Sequence, residues 1–250
     1  MARRVGDLVR DRLRGWRSRR QRTGLEVLEP AVGYRRWSHT YAEEDNELQR
    51  LESELRRELM PPLAGQCTLE VGAGTGRVTQ DLREAGADVI VVDLVVEMLL
   101  RAPDRAAMVG RACVARAEAL PFAAGSFDRV VCALTLGHVA DLAAALRAMV
   151  EVLRPGGELM ITDFHPDATL RGWQRSFTCE GRTCVVQQHA HSLVTYTGTL
   201  DELGCGISAT GKRRWQGQKV LFGLRASKST AEGQPAASPH AIRRTPNTGG

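Results

Sequence analysis

Leu69-Glu70-Val71-Gly72-Ala73-Gly74-Thr75-Gly76-Arg77 joins a short apolar run, Cys67 to Val71, to a helical pattern over Arg77 to Ala85. Strand, glycine turn and helix together make a nucleotide-binding corner. Glycine lets the backbone turn sharply and lie against a ligand with no Cβ in between. The spacing bears on which ligand. A dinucleotide fingerprint, G-x-G-x-x-G, would put its third glycine at position 77; that residue is Arg77, and the third glycine comes one residue early, at Gly76. Glu70 stands two residues before the first glycine. A carboxylate there repels a pyrophosphate and suits a cation.

Outward from this corner the chain alternates. Cys67–Val71 and its helix are followed by Asp88–Asp93, a Val/Ile run typical of a strand buried on both faces. Next come a helix over Val95–Ala102, a short strand Ala112–Ala117, a strand Phe127–Thr135 and a long helix Asp141–Leu153. Pro155-Gly156-Gly157 stops that helix before a strand Glu158–Asp163. The alternation predicts a doubly wound, Rossmann-like α/β sheet, mostly parallel. Upstream, Asn46 can cap a helix whose Leu48, Leu51, Leu55 and Leu59 form one stripe and which Pro61 and Pro62 end. After Pro166 the pattern loosens. A short helix around Asp201–Leu203 and two strands, Ile207–Thr210 and Lys219–Arg225, predict an antiparallel edge hairpin at the C-terminal end.

The ends differ from the body. Residues 1–24 hold nine arginines against two aspartates, with Val5, Leu8, Val9, Leu13 and Trp16 at helical spacing. They read as a basic amphipathic or disordered arm, with weak contact to an anionic membrane surface as its sharper use. Residues 227–250 are poor in apolar residues and read as a disordered tail. The net charge of +5 comes from these ends, since residues 25–226 carry −4. The basic balance therefore does not point to nucleic acid. Six cysteines contain no C-x-x-C pair, and Cys179, Cys184, His189 and His191 match no common zinc spacing, so no metal is expected. No apolar run is long enough to span a bilayer and no signal core opens the chain, which makes a reduced, cytoplasmic setting the expectation.

Four features fall at carboxyl ends of strands, where open α/β sheets bind ligands. They are the glycine turn; Asp93, placed to accept both hydroxyls of a ribose; Arg116-Ala117-Glu118-Ala119-Leu120-Pro121-Phe122; and Ser126 to Val131 running on to Leu134 and His138. In this order, with Leu153-Arg154-Pro155-Gly156-Gly157, they resemble the class I S-adenosylmethionine (SAM)-dependent methyltransferases. The likeness is to the small-molecule branch that includes quinone-biosynthesis C-methyltransferases, and it covers residues 31–226.

The resemblance implies SAM as cofactor and a small organic acceptor methylated at O, N or C. Gly72, Gly74 and Gly76 would let the backbone approach the methionine part, and Glu70 would face its ammonium group. Asp93 would hold the ribose, Leu94 and Met98 would flank the adenine, Ala117 and Glu118 would lie at its edge, and Leu134 would floor the sulfonium. SAM carries two positive centres and no phosphate, which suits a pocket offering Glu70 and Asp93. One position departs. Where the family usually has an aspartate that meets the adenine amino group, this chain has Arg116, which offers no acceptor.

The resemblance also divides residues 25–226 into a lid and helices (31–62), a sheet core (63–166) and an acceptor-covering segment with edge strands (167–226). Methyl transfer needs a general base only if the acceptor must lose a proton. His165 and His138, after two strands, are candidates for it, as are His189 and His191 in the covering segment; Tyr196 is a weaker one. Tyr34, Trp37 and Tyr41, three to four residues apart, either cover a ligand or pack the first helix onto the domain. Two other readings stay open: a non-catalytic scaffold or assembly factor on the same fold, which Arg116 favours, and an NAD(P)-dependent oxidoreductase, which the glycine spacing and Glu70 disfavour. Oligomeric state and the acceptor's identity are not legible.

Overall fold

The glycine-ended strand lies third of seven in the main sheet, flanked by a parallel strand on each side. The structure, a computed structural model, describes residues 25–43 and 46–230; the basic arm and most of the tail lie outside them. Strands β2 (Cys67–Val71), β3 (Asp88–Asp93), β4 (Ala112–Val114), β5 (Phe127–Ala133) and β6 (Leu153–Phe164) are followed by β9 (Cys205–Trp215) and β10 (Gln218–Lys228). Their order across the sheet is β4-β3-β2-β5-β6-β10-β9. The first five are parallel, and the last two join antiparallel at one edge. From β2 the chain runs to β3 and β4 on one side, then returns to β5 and β6 on the other. That reversal opens a crevice at the carboxyl end of β2.

Register shows why the strands read as near-continuous apolar runs. Leu69 pairs with Ile90 and Val130, and Val71 with Val92 and Cys132. These residues face one apolar core with Leu142, Leu146 and Met149 of helix α5 (Leu142–Val152) and Tyr196 and Leu200 of α7 (Leu193–Glu202). Their neighbours Val89, Val91, Val131 and Met160 face the other side. There they meet Val78 and Leu82 of α3 (Arg77–Glu84) and Leu99 of α4 (Val96–Leu99). Both faces are covered, so both sets of alternate residues are apolar.

The second amino-terminal helix packs on the sheet at β6, β10 and β9. Asn46 caps α2 (Glu47–Leu59) by accepting from the Leu48 amide at 3.1 Å, and Leu48 and Leu55 pack with Leu134, Phe164, Val220 and Leu221. A polar set on the same helix was not evident from its leucine stripe. Buried Glu52 accepts from Thr162 Oγ1 at 2.8 Å and Arg56 Nε at 3.0 Å, and pairs with Arg77 at 2.7 Å. Removing one partner would strand a buried charge.

The loosely patterned segment holds more order than expected. A separate three-stranded sheet, order β1-β8-β7, joins Glu26–Leu28 (β1) to a hairpin of β7 (Ser176–Cys179) and β8 (Arg182–Val186). Its turn, Glu180-Gly181, has φ of 50° and 73°, the paired left-handed geometry of a tight hairpin. Trp37 of α1 (Pro30–Trp37) stacks on Phe177 of this sheet at 4.9 Å. A short helix α6 (Pro166–Leu170) precedes the hairpin.

Several expected bounds shift. The third strand ends at Val114, not Ala117, and α4 has one turn where a helix through Ala102 was expected. The fifth strand starts at Leu153, because Pro155-Gly156-Gly157 forms an irregularity inside the ladder between the Phe127–Leu153 and Arg129–Glu158 pairs. The short helix around Asp201 is the end of α7. The expected tail begins too early: β10 runs through Lys228, whose Nζ donates to the Val150 and Leu153 carbonyls at 2.8 and 2.6 Å.

Candidate functional site

A cavity of about 300 Å³ opens above the carboxyl ends of β2, β3 and β5. Its floor begins at the glycine turn. Gly72 has φ of +80°, and a Cβ there would sit 2.1 Å from Thr135 Oγ1, so only glycine lets the turn after β5 close against β2. The Gly74 amide donates to Asp93 Oδ2 at 2.7 Å, and the Val95 amide to Asp93 Oδ1 at 2.8 Å. The carboxylate is thereby fixed at the rim, and burial raises its pKa. Gly76 differs from the expectation. It does not line the cavity; it starts α3, with φ of +85°, and a Cβ would meet Met108 Cε at 2.9 Å. Its lack of a side chain serves helix packing.

Glu70 lines the cavity at its deepest strand, only 1% exposed, and its Oε2 accepts from Thr79 Oγ1 at 2.6 Å. Burial pushes its carboxyl up to about 7, against the pull of Thr79, Arg56 and Arg77. A buried acid poised near neutrality gains most from an arriving cation. Arg77 also lines this end, with Nη1 2.6 Å from Ser53 Oγ on α2. Leu94, Met98, Ala117 and Glu118 line the opposite end beyond Asp93. Arg116 lies there too, and its Nη2 bonds Glu118 Oε1 at 2.7 Å, engaging the nearest carboxylate. Leu134 lines the floor with φ of +55°, its amide donating to the Thr162 carbonyl at 2.7 Å. A left-handed leucine is uncommon and marks a position held by its surroundings.

The remaining wall comes from α1 and the small sheet. Tyr34, Tyr41, His138, Arg175, Gln187 and His189 line it. His138 Nδ1 is 2.7 Å from the Gln187 carbonyl, which can only accept, so the proton sits on Nδ1. Nε2 is then an acceptor, 2.8 Å from the Tyr34 hydroxyl. Arg175 Nη1 donates to the hydroxyls of Tyr34 and Tyr41 at 3.0 and 3.1 Å. The chain of polarity is consistent from guanidinium to carbonyl. Burial, and next the Arg175 charge, push the His138 imidazole down to about 3, so it is neutral at pH 7.

Other expected positions fall elsewhere. His165 does not line the cavity: its Nδ1 accepts from the Asp167 amide at 3.2 Å as the cap of α6, and its ring lies 3.6 Å from Asp167 Oδ2. The Pro166 helix turns the ring toward its own first turn. His191 stacks on His189 but donates from Nε2 to the Val139 carbonyl at 2.7 Å, outside the lining. Trp37 is 4% exposed and packs on the small sheet, so the aromatic trio splits: Tyr34 and Tyr41 face the cavity and Trp37 does not. Tyr196 is buried against Phe222, and its phenol is raised well above the ordinary value by burial. Arg175, Gln187, Thr135 and Arg77 were not foreseen. Arg175 offered a faint signal, an arginine set between Trp173 and Phe177.

Residues 69–161 match the family model described as "Methyltransferase domain". The chain is 39% identical over 104 residues to a demethylmenaquinone methyltransferase of Beutenbergia cavernae, covering 40% of this chain and 41% of that one. It is 41% identical over 118 residues to an uncharacterised methyltransferase of Mycobacterium tuberculosis, covering 46% of each. The chain thus spans less than half the length of these curated relatives. Among solved structures, an S-adenosylmethionine-dependent methyltransferase from Mesorhizobium loti superposes with a TM-score of 0.60 at 21% identity, covering 71% of this chain and 97% of that one. Magnesium protoporphyrin IX methyltransferase from Synechocystis, solved with bound SAM, gives 0.58 at 19% identity, covering 80% and 93%. With the glycine corner and the sheet order, these matches show that residues 69–161 are similar to a methyltransferase domain and that the chain shares the fold of solved S-adenosylmethionine-dependent methyltransferases.

Proposed function

We propose that this protein binds SAM in the cavity and transfers its methyl group to O, N or C of a small organic acceptor. The observation that carries the reading is the pair of acids beside the glycine turn: Glu70, buried with its carboxyl near 7, and Asp93, fixed by two backbone amides. A cationic amino acid joined to a nucleoside fits that pair of acceptors, and a pyrophosphate does not. When bound, SAM supplies an electrophilic methyl on a sulfonium, so alignment and exclusion of water supply much of the rate.

The chain's own residues would do the following. Glu70 and Arg77 hold the two charges of the amino-acid end, Asp93 accepts from the ribose, and Leu94 and Met98 flank the base. Leu134 and Thr135 close the floor, while Tyr34, Tyr41, His138 and His189 face the acceptor. His138 is a weak proton acceptor, because its Nε2 is engaged by Tyr34 and its imidazole is held near 3. The site therefore suits an acceptor that reacts through a lone pair or binds already deprotonated. A base assignment for His165 is not supported, since that ring caps α6.

A scaffold reading rests on one observation, the Arg116–Glu118 ion pair at 2.7 Å at the adenine edge. Titration with SAM, S-adenosylhomocysteine (SAH) and NADH separates the readings. Binding of the first two supports the SAM site, and methyl transfer from labelled SAM to an acceptor pool supports the enzyme. Binding of NADH alone would sink both.

A further inference from the structure

Arg175 is a buried cation with no anion paired to it among the described residues. It is 6% exposed and lines the cavity. Its Nη1 is shared between two neutral hydroxyls, Tyr34 and Tyr41, and its guanidinium lies 5.4 Å from the Phe164 ring centre. Its Nε is buried with no hydrogen-bond partner. Among the described residues no carboxylate lies within ion-pairing distance of it. The carboxylate whose charge acts on it, Asp163, spends its two oxygens on the amides of Gly137 and Phe164, each at 2.7 Å. Buried charges are ordinarily paired, and a guanidinium edge with two parallel donors matches a carboxylate. Among the described residues the Nε–Nη2 edge is the unanswered side.

The cavity's charges also divide in two. The groups acting on Glu70 are Arg56, Arg77 and Asp93, whereas Arg175 acts on Tyr34, His138 and Asp163. The amino-acid end already holds both a carboxylate and a guanidinium of its own, Glu70 and Arg77. Arg175 therefore belongs with the wall built by α1 and the small sheet. Glu29 is the other charge at this wall; it is exposed at the mouth, within reach of the Gln187 amide at 2.9 Å once that amide is turned.

We propose that the acceptor carries a carboxylate, and that Arg175 binds it through its Nε–Nη2 edge with Tyr34 and Tyr41 orienting the guanidinium. The proposal rests on the methyltransferase reading and names the acceptor class of that site. Two acid–amide pairs, 4-hydroxybenzoate with 4-hydroxybenzamide and octanoate with octanamide, test it by calorimetric titration into the SAH-saturated full chain. At least one acid should bind ten-fold or more tighter than its amide. Arg175→Met should erase that preference and leave SAH affinity within about two-fold, while Arg175→Lys, which keeps the charge without the fork, should retain part of it. Equal binding of acid and amide in the wild-type protein, or no binding of either acid, would overturn the proposal without any variant. Ten-fold weaker SAH binding by Arg175→Met with no acid preference would overturn it as well, by assigning the guanidinium to the cofactor's own carboxylate. Failure of the wild-type chain to bind SAH is a separate result: it removes the methyltransferase reading and this proposal with it.

Discussion

The Tyr34 hydroxyl and His138 Nε2 lie 2.8 Å apart, and the proton between them belongs to the tyrosine, because the Gln187 carbonyl fixes the histidine's own proton on Nδ1. One phenol thus links α1 to the turn after β5 while accepting from Arg175. Replacing it by phenylalanine keeps the ring contacts with Trp37 and Tyr41 but leaves Nε2 and Nη1 without their shared partner. Tyr34→Phe should cost about 1–3 kcal/mol in urea unfolding. A cost under a few tenths would show that water replaces the hydroxyl.

The same histidine gives a pH signature. Its pKa falls from about 6.5 unfolded to about 3 folded. Below pH 6.5 the unfolded chain takes up a proton that the folded chain refuses, so stability is full above that pH and is lost as pH falls toward 3. The slope from this group is at most about 1.4 kcal/mol per pH unit, and less because part of the ring stays exposed. His138→Gln should be less stable at pH 7 yet show a flatter decline between pH 6.5 and 4.5. Parallel curves for the two proteins would contradict the buried neutral ring.

Much of the cavity was legible in the sequence because it lies on the regular part of the fold. Glu70, Gly72, Gly74 and Asp93 follow from strand, turn and helix alone, and the structure brings them together. Arg175 and Gln187 were not legible. They lie in an added sheet whose third strand, Glu26–Leu28, comes from about 150 residues earlier and pairs parallel with β8; no local pattern announces such a partner. Gly76 and His165 were misplaced for a different reason. The strand ends give the side of the sheet, but Met108 packing and the α6 cap decide where each residue is used.

Glu70 should make cofactor binding depend on pH. Its folded pKa, about 7, lies above the ordinary 4.5, so the folded chain holds a proton between those values that the unfolded chain releases. Stability from this group is therefore present below pH 4.5 and lost as pH rises to about 7. A bound ammonium favours the carboxylate, so binding must expel that proton. SAH affinity should fall by up to about ten-fold per pH unit below 7, and Glu70→Gln should bind weakly with little pH dependence. Calorimetry in buffers of different ionisation heat would detect the released proton; equal heats would count against the ammonium site.

Asp93 has an observed role and a proposed one, which two variants separate. Asp93→Ala removes both the proposed ribose acceptor and the partner of the Gly74 and Val95 amides. Asp93→Asn keeps one carbonyl for those amides. The alanine variant should remain folded but lose SAH binding in calorimetry, with a stability cost of about 1–3 kcal/mol for the orphaned donors. The asparagine variant should recover most of the stability and little of the affinity. Unchanged affinity in either would refute the ribose assignment.

Arg116 is the position where the chain departs from the pattern it resembles, and its consequence is specific. Its guanidinium bonds Glu118 at 2.7 Å, engaging the carboxylate beside the expected adenine edge and offering no acceptor itself. Arg116→Asp would free Glu118 and add an acceptor, at the risk of setting two carboxylates close together. Arg116→Asn adds the acceptor without the like charge. If the adenine amino group lies here, Arg116→Asn should tighten SAH binding by roughly three- to ten-fold, the worth of one hydrogen bond of about 0.5–1.5 kcal/mol, and Arg116→Asp should gain less at low salt than at high salt. Since Arg116 is largely exposed, folding stability should hardly change. Weaker binding by both variants would instead assign the guanidinium itself to the cofactor, as a cation stacked on the base.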